Sequence, residues 1–215
     1  MPAHERREHI LETAAKVFSE KGYRMASVSD IGEGAGIGRG TFYLYFDSKK
    51  EIFLELIEGF FRGYAELLSE NHRLLDEAFR GRGKVLKTWR DNMLRVLEYH
   101  RENRHLTHIV YREAMGRDED FSARVDVLSH LAREKLVAEF QMMYARGMMR
   151  ECDVEAVTSV VMGSTIYVVM EHLLRESDRD IGELADMIVE YHIRALIPEE
   201  GDVKRALRSA LAREG

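Results

Sequence analysis

The chain of 215 residues is poor in the residues that form cross-links, break helices and close hairpins. It has one cysteine, Cys152, and only 2 prolines, which excludes an internal disulfide and a cysteine-based zinc site. Few Asn-Gly or Asp-Gly turns and little alternation of β-branched residues argue against a sheet. The first residues lack both an uninterrupted apolar core and a small-residue cleavage site, so they are not a secretory signal. We therefore predict an all-α protein that stays in the reducing cytoplasm.

The sequence signatures of common enzymes are also missing. There is no G-x-S-x-G, no H-E-x-x-H and no glycine loop after a strand, because the alternating glycines from Gly32 to Gly40 follow no strand signal. His100, His105 and His108 cluster and could form half of a metal site. Since no cysteine or acidic residue accompanies them at a diagnostic spacing, solvated or helix-capping histidines are the better interpretation. We expect no catalytic residue, no metal and no cofactor.

The most informative stretch is SVSDIGEGAGIGRGTFYLYFDSKK, from residue 27 to residue 50. Ser27 followed by Asp30 has the form of a capping box, which predicts a helix start. The segment 36–38, Gly-Ile-Gly, predicts a tight turn built from residues that tolerate positive φ. A second helix is predicted over 39–45, with Phe42 and Phe46 turned toward the interior. Two short helices joined by a glycine turn are typical of a helix-turn-helix.

A third helix is predicted to begin just after this pair. Ser48 and Glu51 repeat the capping-box pattern, which places Lys49 and Lys50 in the first helical turn. Lysine there opposes the helix macrodipole unless an anion such as a phosphate binds at the same place. This positive helix start, following a helix rich in Arg, Thr and Tyr, matches the way a helix-turn-helix meets duplex DNA.

This stretch resembles the TetR family of bacterial transcriptional regulators. The resemblance rests on residues in fixed spacing, after a helix ending Ala14-Ala15-Lys16-Val17-Phe18 and the group Lys21-Gly22-Tyr23: Ser27-Val28, Ile31, Ala35-Gly36-Ile37, Gly40-Thr41-Phe42-Tyr43, Tyr45-Phe46 and Lys49. It covers the first quarter of the chain. It implies an N-terminal three-helix domain with the helix-turn-helix and a larger C-terminal helical domain for ligand binding and dimerisation, about nine helices in all. Gly38 departs from the family pattern, because serine is common there, so a side-chain cap and one possible phosphate contact are absent.

The resemblance and the residue types together give a set of candidate DNA contacts. Arg39 and Thr41 would meet base edges or phosphate in the major groove, and Gly40 would let the backbone approach. The full set is Ser27, Ser29, Arg39, Gly40, Thr41, Tyr43, Tyr45 and Lys49. The net charge of −6 does not exclude DNA, since basic and acidic residues nearly cancel across residues 1–50. A local positive face could be formed by Arg6, Arg7, Arg24, Arg39, Lys49 and Lys50.

The rest of the chain has no comparable motif. We place the DNA-binding domain at 1–48 and the ligand-binding and dimerisation domain at 49–215, and we predict a long helix from Ser48 to about Glu70. Bulky and soft apolar side chains suggest an adaptable pocket, although such residues are also typical of an ordinary core. The candidate pocket residues are Phe60, Tyr64, Trp89, Met93, Tyr111, Phe140, Met143, Tyr144 and Tyr167.

The segment 153–174 is apolar nearly all round. Its uncharged part, Ala156 to Met170, is shorter than the ~20 residues that span a bilayer, so we interpret it as a doubly buried helix. An amphipathic helix is predicted at 181–196, and Pro198 ends it before a short candidate helix at 202–213. More apolar surface than one chain can bury suggests a dimer interface. Its candidate residues are Val160, Gly163, Ser164, Tyr167, Leu184, Ile188, Tyr191 and Ala195.

These observations predict a ligand-responsive DNA-binding regulator. The expected partners are a palindromic operator, a second copy of the chain and a small, largely apolar effector, with no membrane. Repression is the commoner behaviour in the family that the chain resembles. Three alternatives stay open: an activator that does not release DNA on ligand binding, a helical protein-interaction module whose helix-turn-helix no longer binds DNA, and an enzyme that borrows this fold.

Overall fold

The computed structural model describes residues 2–81, 84–111, 119–175 and 178–197, and for 119–125 it describes the backbone only. Within these ranges the regular structure is helical and no strand occurs, which confirms the predicted all-α class. A wide π-helical turn, Val169–Leu173, directly continues α8. The helices are α1 Ala3–Lys21, α2 Val28–Gly34, α3 Arg39–Phe42, α4 Lys49–Phe79, α5 Val85–Glu102, α6 Arg104–Ile109, α7 Glu119–Ala145, α8 Val154–Val168 and α9 Ile181–Leu196.

The chain divides into two compact units. The first unit comprises Met1–Gly63 and Glu102–Ser129, and the second comprises Tyr64–Arg101 and His130–Gly215. The helix α4 contributes residues to both. The boundary between residues 48 and 49 stays a prediction, and the candidate helix at 202–213 lies outside the described residues.

The core of the first unit is aromatic and confirms the predicted inward faces. Phe18, Phe42 and Phe46 are almost completely buried. The Phe18 ring meets that of Phe53 edge-on at 5.6 Å between centroids, and Tyr23 lies 4.5 Å from the same ring. Offset and edge-to-face pairs stabilise such a core by about 0.5–1.5 kcal/mol each beyond the area they bury. The short helices of this unit are therefore held by tertiary packing.

Two helix ends differ from the predictions. The helix α3 ends at Phe42 rather than at residue 45, because the amides of Leu44 and Tyr45 bond to carbonyls only three residues back. These tighter turns end the regular helix while the Phe46 amide still bonds to the Phe42 carbonyl at 3.1 Å. The helix α4 runs to Phe79 rather than to about Glu70. The polar segment 69–72 suggested an earlier end, but the buried Leu68, Leu75 and Phe79 continue the apolar face beyond it.

Within one chain the apolar helix α8 is buried on one side, and the burial of its other side by a partner chain stays a prediction. Val160 and Tyr167 are 61% and 67% exposed, while Val161 and Thr165 are buried. The helix is thus covered by its own chain on one face only. The stretch Val154–Leu173 has the length and composition of a membrane span, with 22% of its most apolar part buried. Length and composition alone are weak support for a span, since the buried or interface helices of soluble proteins share both.

Candidate nucleic-acid interface

The first helix of the predicted helix-turn-helix, α2, begins with the predicted capping box. The Asp30 amide donates to the Ser27 hydroxyl at 3.1 Å, and the Asp30 carboxylate accepts from the Ser27 amide at 2.8 Å. The carboxylate also accepts from the Ser27 hydroxyl and from Lys21, and these bonds lower the pKa of Asp30 to about 2. The polar groups of Ser27 are therefore engaged in starting α2, while Ser29 is exposed one residue into the helix.

The turn between α2 and α3 depends on Gly36, whose φ of 65° lies in the left-handed region. The Ile37 amide then donates to the Gly32 carbonyl at 2.8 Å. A Cβ on Gly32 would come within 2.9 Å of the Ile37 carbonyl oxygen, so glycine allows the close approach. Gly38 adopts extended backbone before α3 and supplies no side-chain cap, as the sequence indicated.

The helix α3 has one buried face and one exposed face. Phe42 is completely buried, whereas Arg39, Gly40 and Tyr43 are exposed. The Arg39 guanidinium lies 5.8 Å from the centre of the Tyr43 ring, an arrangement that favours a cation over the ring face. Two more candidate DNA contacts, Thr41 and Tyr45, are half-buried. The helix α3 and the residue directly after it therefore present a guanidinium, a backbone without a side chain and a phenol to solvent.

The start of α4 is organised differently from the prediction. The Glu51 amide donates to the Ser48 hydroxyl at 3.1 Å, but the Glu51 carboxylate accepts from the Asp47 amide rather than from that of Ser48. The Lys49 ammonium donates to the carbonyls of Tyr23 and Ala26 at 2.7 Å each. Burial lowers the pKa of Lys49. Lys49 thus ties the turn after α1 to the first turn of α4.

Arg7, which the sequence placed on a possible positive face, is bound within the first unit. The two terminal nitrogens of its guanidinium donate to the Glu55 carboxylate at 2.6 Å each. The guanidinium also lies 4.6 Å from the centre of the Phe46 ring. The paired carboxylate raises the pKa of Arg7. The charge of Arg7 is therefore largely compensated inside the chain, whereas the side chains of Arg39 and Lys50 are exposed.

Two exposed apolar side chains of this unit were not singled out from the sequence. Leu44 is 81% exposed and Met25 is 79% exposed. Both lie in turns that follow helices, and a large apolar residue outside a helical apolar stripe is the signal that could have found them. Both are available to an external partner.

The candidate pocket residues belong to both units and differ in burial, and their common role stays a prediction. In the first unit, Phe60 is buried and Tyr111 is half-buried. In the second unit, Trp89, Phe140 and Met143 share an apolar cluster, Met93 is buried, Tyr64 is half-buried, and Tyr144 and Tyr167 are exposed. An open groove of about 520 Å³ in the second unit is lined by Ala65, Ser69, His72, Leu131, Glu134, Lys135 and Ala138. None of the nine candidates is among these seven residues.

The candidate interface residues lie on two different faces. Leu184 and Ile188 are buried inside their own chain, so a partner could not reach their side chains. The Ser164 hydroxyl is half-buried and donates to the Val161 carbonyl at 3.0 Å. The exposed candidates are Val160, Gly163 and Tyr167 on α8 and its direct extension, and Tyr191 and Ala195 on α9.

Sequence comparison places this architecture among known regulators. Residues 10–56 match the family model of bacterial regulatory proteins of the tetR family. The HTH-type transcriptional regulator YdgC of Bacillus subtilis is 30% identical over 203 residues, which covers 93% of this chain and 97% of that protein. The chain belongs to the TetR family. It is thus an HTH-type transcriptional regulator of that family, and its relatives are regulators rather than enzymes.

Two other TetR-family proteins show which parts of the chain are similar. The repressor KstR2 of Mycobacterium tuberculosis is 49% identical over 55 residues, 26% of this chain and 28% of that protein. Its structure, described as a ketosteroid transcriptional regulator, superposes with a TM-score of 0.70 at 23% identity and covers 90% of this chain and 96% of that one. The structure of FadR of Bacillus subtilis in complex with stearoyl-CoA superposes with a TM-score of 0.66 at 18% identity. The superposition covers 85% of this chain and 95% of that one. These superpositions establish a shared fold.

Proposed function

We propose that this TetR-family regulator is a repressor that binds a palindromic operator as a homodimer and leaves it when a small, largely apolar effector binds. The observation that carries the proposal is the division of α3 between a buried Phe42 and the exposed Arg39, Gly40 and Tyr43. A helix that packs on the core with one face and exposes polar groups on the other is suited to insertion in a major groove. Because the proposed target is operator DNA, we expect the protein to act in the cytoplasm.

Each candidate DNA contact has a part in this proposal. Arg39 and Thr41 face base edges, Gly40 lets the backbone approach, Ser29 reaches the groove from α2, and Tyr43 and Tyr45 bond to phosphates. Ser27 and Lys49 act through the helix starts that they fix, since their polar groups already bond within the chain.

The exposed apolar face of α8 and α9 supports the homodimer. Val160, Tyr167, Met187 and Tyr191 are each more than two-fifths exposed in one chain. A second copy related by a two-fold axis would cover them, and the two helices of each chain would form a four-helix interface. A two-fold dimer reads a palindrome, with half-sites about one helical turn, ~34–36 Å, apart or more if two dimers share the site.

The proposed effector class is supported by the apolar second unit and by similar proteins. Trp89, Phe140 and Met143 give its interior soft and aromatic surfaces. The structurally similar FadR carries stearoyl-CoA, and KstR2 is named for ketosteroids. Effector binding in this unit would favour a form of the dimer with lower affinity for the operator.

Selection of binding sites from a random duplex pool, at near-physiological salt, tests the proposal. We expect a two-fold symmetric sequence to be enriched, and affinity for it to fall steeply as salt rises. Arg39→Ala should weaken this affinity by about 1–3 kcal/mol, roughly 5- to 150-fold. Arg175→Ala removes an exposed arginine of the second unit and serves as the control with the same loss of charge.

Two results would overturn the proposal. A folded dimer that enriches no sequence would point to a protein-interaction module. An operator bound equally well with and without every apolar compound that the chain binds would point to an activator that does not release DNA.

A further inference from the structure

Two buried asparagines of the second unit hold α4 and α5 together and leave acceptors without donors. The Asn71 side-chain amide donates to the Asn92 backbone carbonyl at 3.3 Å, and that of Asn92 donates to the Asn71 carbonyl at 2.9 Å. A carbonyl only accepts, so the nitrogen of each amide must face it and the orientation of both side chains is determined. The Oδ1 atoms of both asparagines are buried and have no hydrogen-bond partner.

Glu139 adds a carboxyl group on α7. The residue is 5% exposed, and burial is the only cause that shifts the pKa of its carboxyl group, with no hydrogen bond or charge of the described residues contributing. Burial raises the pKa of Glu139 to about 7. A buried carboxylate without a partner costs several kcal/mol, and a bound group that supplies donors would offset this cost.

Asn71, Asn92 and Glu139 occupy corresponding places on their helices, between two apolar clusters. One cluster contains Leu68 of α4, Val96 of α5 and Ala132 of α7, and the other contains Leu75, Trp89 and Phe140 of the same three helices. On each helix the polar residue lies between its members of the two clusters. The three side chains therefore form a polar layer, a name that we keep for them.

An open groove is lined by residues that are neighbours in sequence of Asn71 and Glu139. Its volume of about 520 Å³ is in the range of small-molecule sites. Glu139 directly follows Ala138 and lies one helical turn after Lys135, both of which line the groove, so it lies at the groove-side edge of the buried face of α7. His72, next to Asn71, contributes to the wall, and its Nδ1 is buried without a partner. At the rim, Glu134 and Lys135 carry opposite charges.

We infer that this groove binds a cationic amine with an apolar body, whose ammonium group bonds to Glu139 and to the acceptors beside it. The inference rests on the proposed function in one respect only, namely that such an amine would be the effector of the regulator. An ammonium group has three donors and no acceptor, which complements a layer whose free groups are acceptors. The apolar clusters on both sides of the layer suit an alkyl or aromatic body, whereas a carboxylate ligand would meet acceptors and a like charge.

Calorimetric titration of the full chain with n-octylamine, n-octanol and n-octanoate at neutral pH tests the inference. We expect the amine, protonated under these conditions, to bind more tightly than the alcohol, and the carboxylate to bind least. Glu139→Gln keeps the shape of the side chain and removes its charge, so it should lower affinity for the amine about tenfold or more and leave affinity for the alcohol unchanged. Glu151→Gln makes the same change at an exposed position of this unit and should change neither.

A second variant tests whether the probes bind in the groove, without disturbing the fold. Ala138→Phe, at an exposed position in the groove wall, should block all three probes while the thermal unfolding midpoint stays near that of the parent chain. Octanoate that binds as tightly as the amine, or a Glu139→Gln variant that keeps full affinity for the amine, would overturn the inference.

Operator binding measured on the same samples distinguishes this inference from the proposed function. An operator that is bound but unaffected by the amine, in a chain that does not bind the amine, would remove the inference and leave the repressor intact. Amine binding that depends on Glu139, in a chain that selects no operator, would keep the site and remove the proposed function.

Discussion

Lysine at the start of a helix has two uses that a sequence does not distinguish. Lys49 was predicted at this place because the Ser48 and Glu51 pattern marks a helix start, and the structure confirms the place. Its ammonium bonds to the carbonyls of Tyr23 and Ala26, more than 20 residues earlier in the chain. Long-range partners of this kind leave no local pattern, so the position of Lys49 could be predicted and its bonds could not.

The stability of the chain should depend on pH through Glu139. Its pKa is raised by burial from an ordinary 4.5 to about 7, so between these values the folded chain binds more protons than the unfolded chain. The free energy of unfolding therefore falls as pH rises from about 4.5 to about 7 and is then constant with respect to this group. Glu139→Gln should remove this pH-dependent loss of stability and raise the free energy of unfolding by roughly 3 kcal/mol above pH 7, as measured by urea denaturation.

The difference between the variant and the parent chain isolates this effect from other groups. His100 and His192 are buried, which lowers the pKa of each to about 4, so their contribution to stability falls as pH drops from about 6.5 to about 4. They contribute equally to both proteins. A difference between the two proteins that stays constant from pH 4.5 to pH 8 would contradict the role of Glu139.

At the scale of the helices, capping patterns were more informative than apolar spacing. The Ser27 and Asp30 box was confirmed in both of its bonds, and the Ser48 and Glu51 box in one. Apolar spacing predicted that α3 and α4 exist but placed their ends wrongly, because the turn after Phe42 and the polar residues within α4 depend on tertiary contacts. Helix starts are set by neighbours in sequence, and helix ends here are set by packing.

Removal of the cap of α2 should affect both stability and DNA binding. Ser27→Ala deletes the hydroxyl that accepts from the Asp30 amide and should cost about 1 kcal/mol of unfolding free energy. We expect operator affinity to fall as well, since α2 positions α3 through the glycine turn. Chemical denaturation and a binding titration give the two values.

Ser129→Ala serves as the comparison for the cap. It removes a hydroxyl that donates to the Asp126 carbonyl within α7, and the stability of the chain should change by less than about 0.5 kcal/mol. Equal effects of the two substitutions would show that the Ser27 hydroxyl is not a structural cap.

For the whole molecule, the sequence could predict the first unit in more detail than the second. A dense motif and strict inward faces determined the helix-turn-helix, whereas α8 is apolar nearly all round. From such a helix one can predict that two surfaces are covered, but not which surface the chain itself covers. Leu184 and Ile188 of α9 accordingly lie in the core of their own chain, while Val160 and Tyr191 are exposed.

The homodimer should depend on this exposed apolar face. Tyr191 is 63% exposed, and Tyr191→Glu would bury a carboxylate against the partner, which we expect to shift the chain to monomers in sedimentation velocity. Operator affinity should fall with dimerisation, because half of the contacts to the palindrome are lost.

Leu86→Glu makes the same kind of change at an exposed apolar position of α5. It should leave the sedimentation coefficient of the dimer unchanged. A dimer that persists in Tyr191→Glu at micromolar concentration would place the interface on another surface.

The π-helical turn after α8 has a consequence for how this segment tolerates change in length. In this turn the Leu174 amide bonds to the Val169 carbonyl, five residues back, so the turn holds one residue more than an α-helical turn. Each residue of an α-helix advances the direction of the side chains by about 100°. An extra residue in a regular helix would turn everything after it by that angle, whereas the wide turn takes the extra residue up within itself. Deletion of one residue here would therefore restore an ordinary turn and leave the direction of the exposed face of α8 unchanged, so the end of this helix can lose a residue without disturbing that face.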